Sequence, residues 1–135
     1  MSEQKSYNLQ TILLLESHFT RTWSIDFDNP EFKNAVEINV EDTRTEEYLN
    51  VVVSLNFKAG VNEDYQIQSE IKMVGVFVGE QSGDLNIEQF ATVNAPAIIF
   101  PFLREHLSSL SVKAGISPIL LASVNFVKHS QNKKK

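Results

Sequence analysis

Alternation of apolar and polar residues is the feature that most constrains what this chain can fold into. Across residues 36–41, valine and isoleucine alternate with glutamate and asparagine, and the same two-residue period returns across residues 51–57. A two-residue period places successive side chains on opposite faces of a β-strand. Both stretches therefore predict half-buried strands, with one face towards a core and the other towards solvent.

Further strands are predicted before and after these two. Residues 9–19 form an apolar, β-branched stretch, and residues 25–28 alternate isoleucine and phenylalanine with aspartate until an Asn-Pro pair ends the run. In the strand that begins near Tyr65, the apolar residues change parity beside Gly75, which predicts a bulge or twist there. The end of this strand, residues 76–78, is apolar on both faces. One layer of helices can cover only one of these faces, so we expect another subunit or a ligand to cover the other.

Helices are predicted beyond Gly83, where the apolar period lengthens. A short helix is expected to end at residues 94–96, where an Asn-Ala-Pro sequence breaks the pattern. The apolar residues of this short helix are Ile87, Phe90 and Ala91. A longer helix is expected to open at Phe100-Pro101, with the proline in its first turn, and to stop at Gly115. Residues 119–126 are expected to pack back as a short strand.

Strands first and helices afterwards predict an α+β fold, a four-stranded antiparallel sheet with two main helices packed on one side. The 135 residues, of which 42% are hydrophobic, are enough for one domain with a core. We expect that domain over residues 9–127, with a flexible N-terminus at residues 1–8 and a basic, disordered tail at residues 128–135. Two helices cover at most one face of such a sheet and leave its edges open, so the pattern also predicts an oligomer.

The composition excludes most kinds of reactive site. The chain has no cysteine, which excludes disulfides, thiolate metal sites and thiol nucleophiles. Its three histidines lack a metal-binding spacing, and neither a G-x-S-x-G elbow nor a phosphate-binding glycine loop occurs. Asp26 and Asp28 share a face of a predicted strand and could form an acid–base pair or a cation site, but a surface role is the stronger interpretation. We expect no enzyme, no catalytic residue, no metal and no cofactor.

Charge and terminal sequence limit the partners and the location. The net charge is −5, whereas phosphate binding needs a basic face, so nucleic acid is not expected as a partner. The first residues lack the layout of a signal peptide, and no apolar run approaches the roughly 20 residues of a membrane span. We therefore expect a soluble, cytoplasmic protein that does not insert into a membrane.

Several segments resemble SecB, the bacterial protein-export chaperone. Residues 94–105, with the sequence NAPAIIFPFLRE, resemble the crossover and second helix of that family, and residues 123–126, SVNF, resemble its Val-Asn-Phe ending. Weaker similarity lies in residues 25–30, IDFDNP, and residues 70–77, EIKMVGVF. The resemblance covers most of residues 9–127 and is most specific between Pro96 and Glu105.

The resemblance implies a homotetramer, built as a dimer of dimers, that acts as an ATP-independent chaperone or holdase. Such proteins use no cofactor, bind unfolded preproteins or other non-native polypeptides in apolar grooves, and pass export precursors to the SecA motor. By this resemblance the client groove would be lined by Val76, Phe77, Val78, Ile99, Phe100, Phe102, Leu103 and Leu107. The oligomer interface would include Ile87, Phe90 and Ala91. For each of these residues, a place in the core of one subunit is the competing interpretation.

This sequence differs from the SecB family most clearly at the residues that would dock SecA. The family uses acidic residues on the outer sheet face, where this sequence has Asp28 and Glu70. Ser24 stands where an acid is expected and Gln68 where a leucine is expected, and the chain ends in lysines rather than in an acidic tail. Two alternatives therefore stay open: a dedicated chaperone of one partner, such as an antitoxin, and a SecB-fold scaffold without client activity.

Overall fold

Four long strands form a single antiparallel sheet in the computed structural model, which describes residues 7–79 and 86–133, without the side chains of the last two. The strands are β1 (Asn8–Arg21), β2 (Phe32–Arg44), β3 (Tyr48–Val61) and β4 (Asp64–Val78). Their order across the sheet is β1-β4-β3-β2, so β1 and β2 are the two edges. The predicted α+β fold with a four-stranded antiparallel sheet is confirmed.

The segment that joins the two edge strands is a loop and not a strand. Residues 22–31, here called the β1–β2 loop, pass from one edge of the sheet to the other. The alternation in residues 25–28 predicted a strand, and that prediction is wrong. The backbone N–H of Asp26 donates to the side-chain oxygen of Gln66 at 2.8 Å, so a side chain takes the place of a strand partner.

From Ile67 to its end, strand β4 keeps one face towards the helices. Its odd-numbered residues from Ile67 to Phe77 are buried on this inner face, opposite the buried residues of β3. The predicted change of face beside Gly75 is therefore wrong. The register of β4 shifts against β1 between Leu9 and Thr11 and between Leu14 and Glu16, and against β3 between Ala59 and Gly60, opposite Gln66. The valines that follow Met73 belong to the outer face, whose other positions are mostly polar.

One continuous helical segment crosses the inner face of the sheet. It consists of α1 (Ile87–Gln89), a π-helical turn (Phe90–Asn94) and α2 (Ala95–Lys113). The predicted break at residues 94–96 and the predicted start at Phe100-Pro101 are wrong, because the helix continues through both prolines. Pro96 lacks an N–H and its ring crowds the preceding turn, and the wider π-helical turn, in which the Ala95 N–H bonds to Phe90 O, accommodates it.

The end of α2 matches its prediction. Gly115 adopts a left-handed φ of 77°, which costs glycine little. The N–H of Gly115 donates to Val112 O at 3.0 Å and that of Ile116 to Ser111 O at 3.1 Å, which is a Schellman ending. The glycine therefore stops the helix and turns the chain back towards the sheet.

The C-terminal segment differs from both predictions made for it. Residues 117–125 lack regular structure, and α3 (Phe126–Lys133) follows in place of a short strand and the start of a disordered tail. The Ser111 side chain accepts the Ile119 N–H at 2.9 Å, which ties the irregular segment to α2. Asn125 caps α3 by accepting the N–H groups of Val127 and Lys128.

The core lies between α2 and the two central strands. It contains alternate residues of β3 and β4 and one stripe of α2, in which Ile99, Leu103 and Leu107 are fully buried. Because α2 contacts β3 and β4, the edge strands receive less cover. The exposed leucines of β1 are Leu9, Leu13, Leu14 and Leu15.

Candidate peptide-binding groove

Most of the predicted client-groove residues lie in the core of the single chain. None of the following five side chains is more than 4% exposed: Phe77, Ile99, Phe100, Leu103 and Leu107. The Phe77 ring packs edge-on against Phe90 at 5.2 Å, and the Phe100 ring packs against Phe126 at 5.9 Å. The first contact joins the π-helical turn to β4 and the second joins α3 to α2, so in the single chain the five side chains form no open wall. The single chain thus places these five residues in its core, the competing interpretation given for them, and their assignment to a groove stays a prediction.

The other three predicted groove residues lie on two separate surfaces. Val76 and Val78 are half-buried on the outer face of β4. Phe102 is 50% exposed on α2, on the side that faces β1. That side is identified by His106, one turn further along, whose Nε2 lies 2.8 Å from the Ser17 hydroxyl of β1. The structure therefore does not bring the predicted groove residues together.

An open groove lies instead beside β2, at the end of the sheet that carries the β1–β2 loop. Its volume is about 520 Å³, and we call it the β2 groove. The floor is formed by three buried side chains of the central strands, Phe57, Ala59 and Ile67, and the walls by Phe27, Phe32 and residues 116–120. Phe27 is 54% exposed and Leu120 is 80% exposed, so apolar side chains stand at the rim with little cover.

Gln66 positions the loop wall of the β2 groove. Its buried side-chain amide accepts the backbone N–H of Asp26 at 2.8 Å and donates to the Asp26 carboxylate at 2.9 Å. The adjacent Phe27 ring then packs against Phe32 with their centroids 5.2 Å apart. The two hydrogen bonds fasten the β1–β2 loop to β4, so the aromatic wall of the groove is held in place.

Sequence reasoning missed the β2 groove because its parts come from four distant segments. The one sign of the groove in the sequence is weak: two aromatic residues, Phe27 and Phe32, lie in a stretch that is otherwise rich in acidic residues. The sequence predicts a strand over residues 119–126, and that prediction gives no reason to place Leu120 in the wall of the β2 groove opposite Phe27.

The two predicted docking acids occupy different elements. Glu70 lies on the outer face of β4 and accepts a long hydrogen bond of 3.4 Å from the Asn56 amide. Asp28 lies in the β1–β2 loop, and both side chains are exposed. Among residues 7–79 and 86–133, no hydrogen bond or ion pair joins Asp28 to Glu70. A shallow polar depression around Glu70 also includes Glu16, Glu41 and Lys72, so this part of the outer face is acidic.

The predicted interface residues pack within one chain. Ala91 is fully buried in the core, and Ile87 and Phe90 are half-buried. The Phe90 ring stacks at 5.1 Å on Tyr7, whose pKa is raised by burial and lowered in part by Arg44. Arg44 fastens α1 to β2 through an ion pair with Glu88 at 2.7 Å. The hydrogen bonds that the guanidinium donates to the carboxylates of Glu88 and, secondly, Asp42 raise the pKa of Arg44.

The described part of the chain holds no group of three His, Asp or Glu side chains arranged to bind a metal ion. The predicted pairing of Asp26 and Asp28 on one strand face is not formed, since both lie in the β1–β2 loop and the Asp26 carboxylate accepts from Gln66. No helix within residues 7–79 and 86–133 is long and apolar enough to cross a membrane.

Comparison with known proteins gives concordant matches. A family model described as preprotein translocase subunit SecB matches residues 13–135. Proteins named protein-export protein SecB from Burkholderia lata and Burkholderia cenocepacia are each 28% identical over 130 residues, which is 93% of this chain and 81% and 79% of theirs. A solved SecB-like chaperone from Mycobacterium tuberculosis, in complex with a ChAD peptide from the HigA1 antitoxin, superposes with a TM-score of 0.73 at 12% identity, over 87% of this chain and 90% of that one. At that identity the likeness shows the fold.

Proposed function

The chain belongs to the SecB family, and on that premise we propose that it is an ATP-independent chaperone that binds unfolded preproteins or other non-native polypeptides for export. The observation that carries the proposal is the β2 groove, whose rim exposes Phe27 and Leu120 while its floor is closed by core residues. Burial of apolar surface is non-directional, so such a groove accepts many sequences and rejects polypeptides whose apolar residues are already folded away. The proposal needs no catalytic residue and places the protein in the cytoplasm, where preproteins are made.

We further propose that four copies assemble as a dimer of dimers. The support is the uncovered apolar surface on the β1 side of the chain, where Phe102 and Ile98 of α2 lie one turn apart and Leu9 and Leu14 of β1 share the inner face. A second copy that covers this surface would bury it and leave the β2 groove, on the opposite edge of the sheet, open. Several grooves on one assembly increase the avidity for a long polypeptide.

Delivery of clients to the SecA motor is proposed through the acidic outer face. Glu70 is exposed there beside Glu16 and Glu41, and Asp28 projects from the β1–β2 loop. A charge reversal of Glu70→Lys is expected to weaken binding to purified SecA, measured by calorimetry, while Glu105→Lys, at an exposed position of α2 on the other side of the sheet, serves as the control. Equal SecA affinity of both variants and the parent would contradict this docking surface.

A dedicated chaperone of one partner, such as an antitoxin, is the second candidate function. The M. tuberculosis neighbour was solved with an antitoxin peptide, and its fold is the one found here. The two candidates differ in breadth: a general chaperone binds several unrelated unfolded proteins with similar affinity, whereas a dedicated one binds a single partner much more tightly than the rest.

The experiment that tests the proposal is a titration of the protein with one slow-folding polypeptide, presented first unfolded and then native, with light scattering for the mass. We expect binding of only the unfolded form, without ATP, to an assembly of four 15.3 kDa chains. Phe27→Ala is expected to weaken this binding, whereas Trp23→Ala, at an almost fully exposed aromatic residue outside the groove, leaves it unchanged. An assembly that binds neither form would contradict the chaperone function and favour a scaffold.

A further inference from the structure

The side chain of Arg21, the last residue of β1, bonds to two segments that are distant in the chain. Its Nε donates to the carbonyl oxygen of Thr22 at 2.9 Å, and its Nη2 donates to that of Trp23 at 2.9 Å. Its Nη1 donates to the carbonyl oxygen of Ala114, 93 residues further along, at 2.6 Å. One guanidinium group therefore joins the start of the β1–β2 loop to the end of α2.

Both of these segments lead directly into the β2 groove. The β1–β2 loop continues from Trp23 to Phe27, which stands in one wall of the groove. The chain turns back after Ala114, and residues 116–120 form the opposite wall. The two walls therefore begin at the acceptors of a single side chain, which sets the distance between their starting points.

An arginine is well suited to this position. Its guanidinium is planar and carries several N–H donors in a fixed arrangement, so it can hold three carbonyl oxygens at once. Ala114 is the C-cap residue of α2, and its carbonyl is one of those that the helix itself cannot pair. A cation at this end of the helix also interacts favourably with the helix dipole. Hydrogen bonds from a charged donor are stronger than those between neutral groups.

Two other side chains hold one wall each. Gln66 bonds to Asp26 and fastens the β1–β2 loop to β4, and Ser111 accepts the Ile119 N–H and fastens the opposite wall to α2. Arg21 differs from both because its bonds reach the segments that precede both walls. It can therefore fix the spacing between the walls, which neither single-wall contact does.

We propose that Arg21 is a positioning residue that fixes the separation of the two walls of the β2 groove and thereby raises its affinity for an unfolded polypeptide. This inference rests on the proposed function, since it concerns the groove in which clients would bind. Arg21 acts through the main chain of the loop and of α2 and needs no contact with the client. Without the guanidinium the two walls move independently, and part of the binding free energy is lost in ordering them.

The first test measures the separation of the walls. The chain has no cysteine, so Ser24→Cys and Ser117→Cys, at two exposed positions, place one spin label beside each wall. The labelled chain is mixed with excess unlabelled chain, so that pulsed electron paramagnetic resonance reports the distance within one chain. Arg21→Met is expected to widen the distribution of this distance about twofold, because it removes all three bonds. Lys113→Met, which removes a positive charge from the last turn of α2, is the control and is expected to leave the distribution unchanged.

The second test measures the binding of an unfolded polypeptide by the same substitutions without labels. Arg21→Met is expected to bind about fivefold more weakly, and Lys113→Met to match the unsubstituted chain. Arg21→Lys keeps the charge but carries its donors on one nitrogen, so an intermediate affinity is expected. The urea midpoint of Arg21→Met is expected to stay close to that of the unsubstituted chain, since Arg21 is exposed.

Three results overturn the role of Arg21. They are an unchanged distance distribution in Arg21→Met, a wider distribution with unchanged client affinity, and a loss of affinity that appears only together with a large fall in the urea midpoint. If Phe27→Ala still weakens binding in any of these cases, the groove function stands and only the positioning role fails. If the unsubstituted chain binds no unfolded polypeptide, the proposed function fails and the role of Arg21 in client binding fails with it.

Discussion

Gly75 of β4 and Ile99 of α2 mark a close contact between the long helix and the sheet. A Cβ atom added at Gly75 would lie 2.7 Å from Cδ1 and 2.9 Å from Cγ1 of Ile99, and 3.0 Å from the Phe77 ring. Ile99 and Phe77 are fully buried, so neither has space to withdraw. The lack of a side chain at Gly75 therefore allows α2 to pack close to β4, and the glycine does not mark a bulge in the strand.

Gly75→Ala is expected to lower the free energy of unfolding by about 1–3 kcal/mol, because the added methyl group overpacks the contact with Ile99. Urea unfolding followed by circular dichroism measures the change. Gln68→Ala, at an exposed position of the same strand, is the control and is expected to stay within about 0.5 kcal/mol of the parent. Unchanged stability of Gly75→Ala would show that the helix can shift away without cost.

Phe27 and Phe77 are expected to respond in opposite ways to substitution by alanine. Phe77→Ala removes a fully buried ring and is expected to cost about 3–5 kcal/mol of stability. Phe27→Ala is expected to leave the unfolding midpoint nearly unchanged and to weaken the binding of an unfolded polypeptide, since its ring stands at the rim of the β2 groove. Thermal melting and a binding titration of both variants check the pair, and a large loss of stability in Phe27→Ala would contradict the groove assignment.

Gln66→Ala is expected to loosen the β1–β2 loop, because it removes both hydrogen bonds to Asp26. Amide hydrogen exchange of residues 22–31 is expected to accelerate, and the affinity for an unfolded client to fall several-fold as the wall formed by Phe27 loses its fixed position. Gln68→Ala again serves as the control. Faster exchange with unchanged affinity would show that the groove does not need a fixed wall.

Tyr7→Phe is expected to stabilise the protein by about 1 kcal/mol near neutral pH, because the buried Tyr7 hydroxyl has no hydrogen-bond partner among the described residues. Burial raises the pKa of Tyr7 in the folded state above its usual value of 10.0. The unfolded chain therefore ionises first, and the native state loses stability as pH rises above about 10 and through the folded pKa. Urea titrations from pH 7 to 11 are expected to show a steeper alkaline loss for the parent than for Tyr7→Phe. Parallel pH profiles would contradict the burial of the hydroxyl.

Phe102→Glu is expected to disrupt assembly without unfolding the subunit, since the ring is half-exposed beside Ile98 and contributes little to the core. Light scattering is expected to fall from about 61 kDa, four times the 15.3 kDa chain, towards a smaller species. Arg104→Glu on the same helix is the control. A tetramer that survives Phe102→Glu would place the interface elsewhere.

The sequence predicts β2 and β3 well because each has a clear two-residue period, but the strands predicted at residues 25–28 and 119–126 are not formed. It fails at the prolines of α2, where a π-helical turn absorbs Pro96 and the helix continues. It cannot separate core from groove on α2, since Ile99, Leu103 and Leu107 have the helical spacing that either role requires. The β2 groove is lined by residues 27, 57, 67 and 120, which are far apart in sequence, and no local pattern encodes such long-range proximity.

The most direct test of the central claim is photo-cross-linking from the β2 groove. A photoreactive phenylalanine analogue placed at Leu120 is expected to cross-link to an unfolded polypeptide and not to its native form, since Leu120 stands exposed at the groove rim. The same analogue at Gln68, outside the groove, is expected to capture neither form. Cross-linking of equal yield at both positions, or none at Leu120 with a client that binds, would contradict the assignment of the β2 groove as the client site.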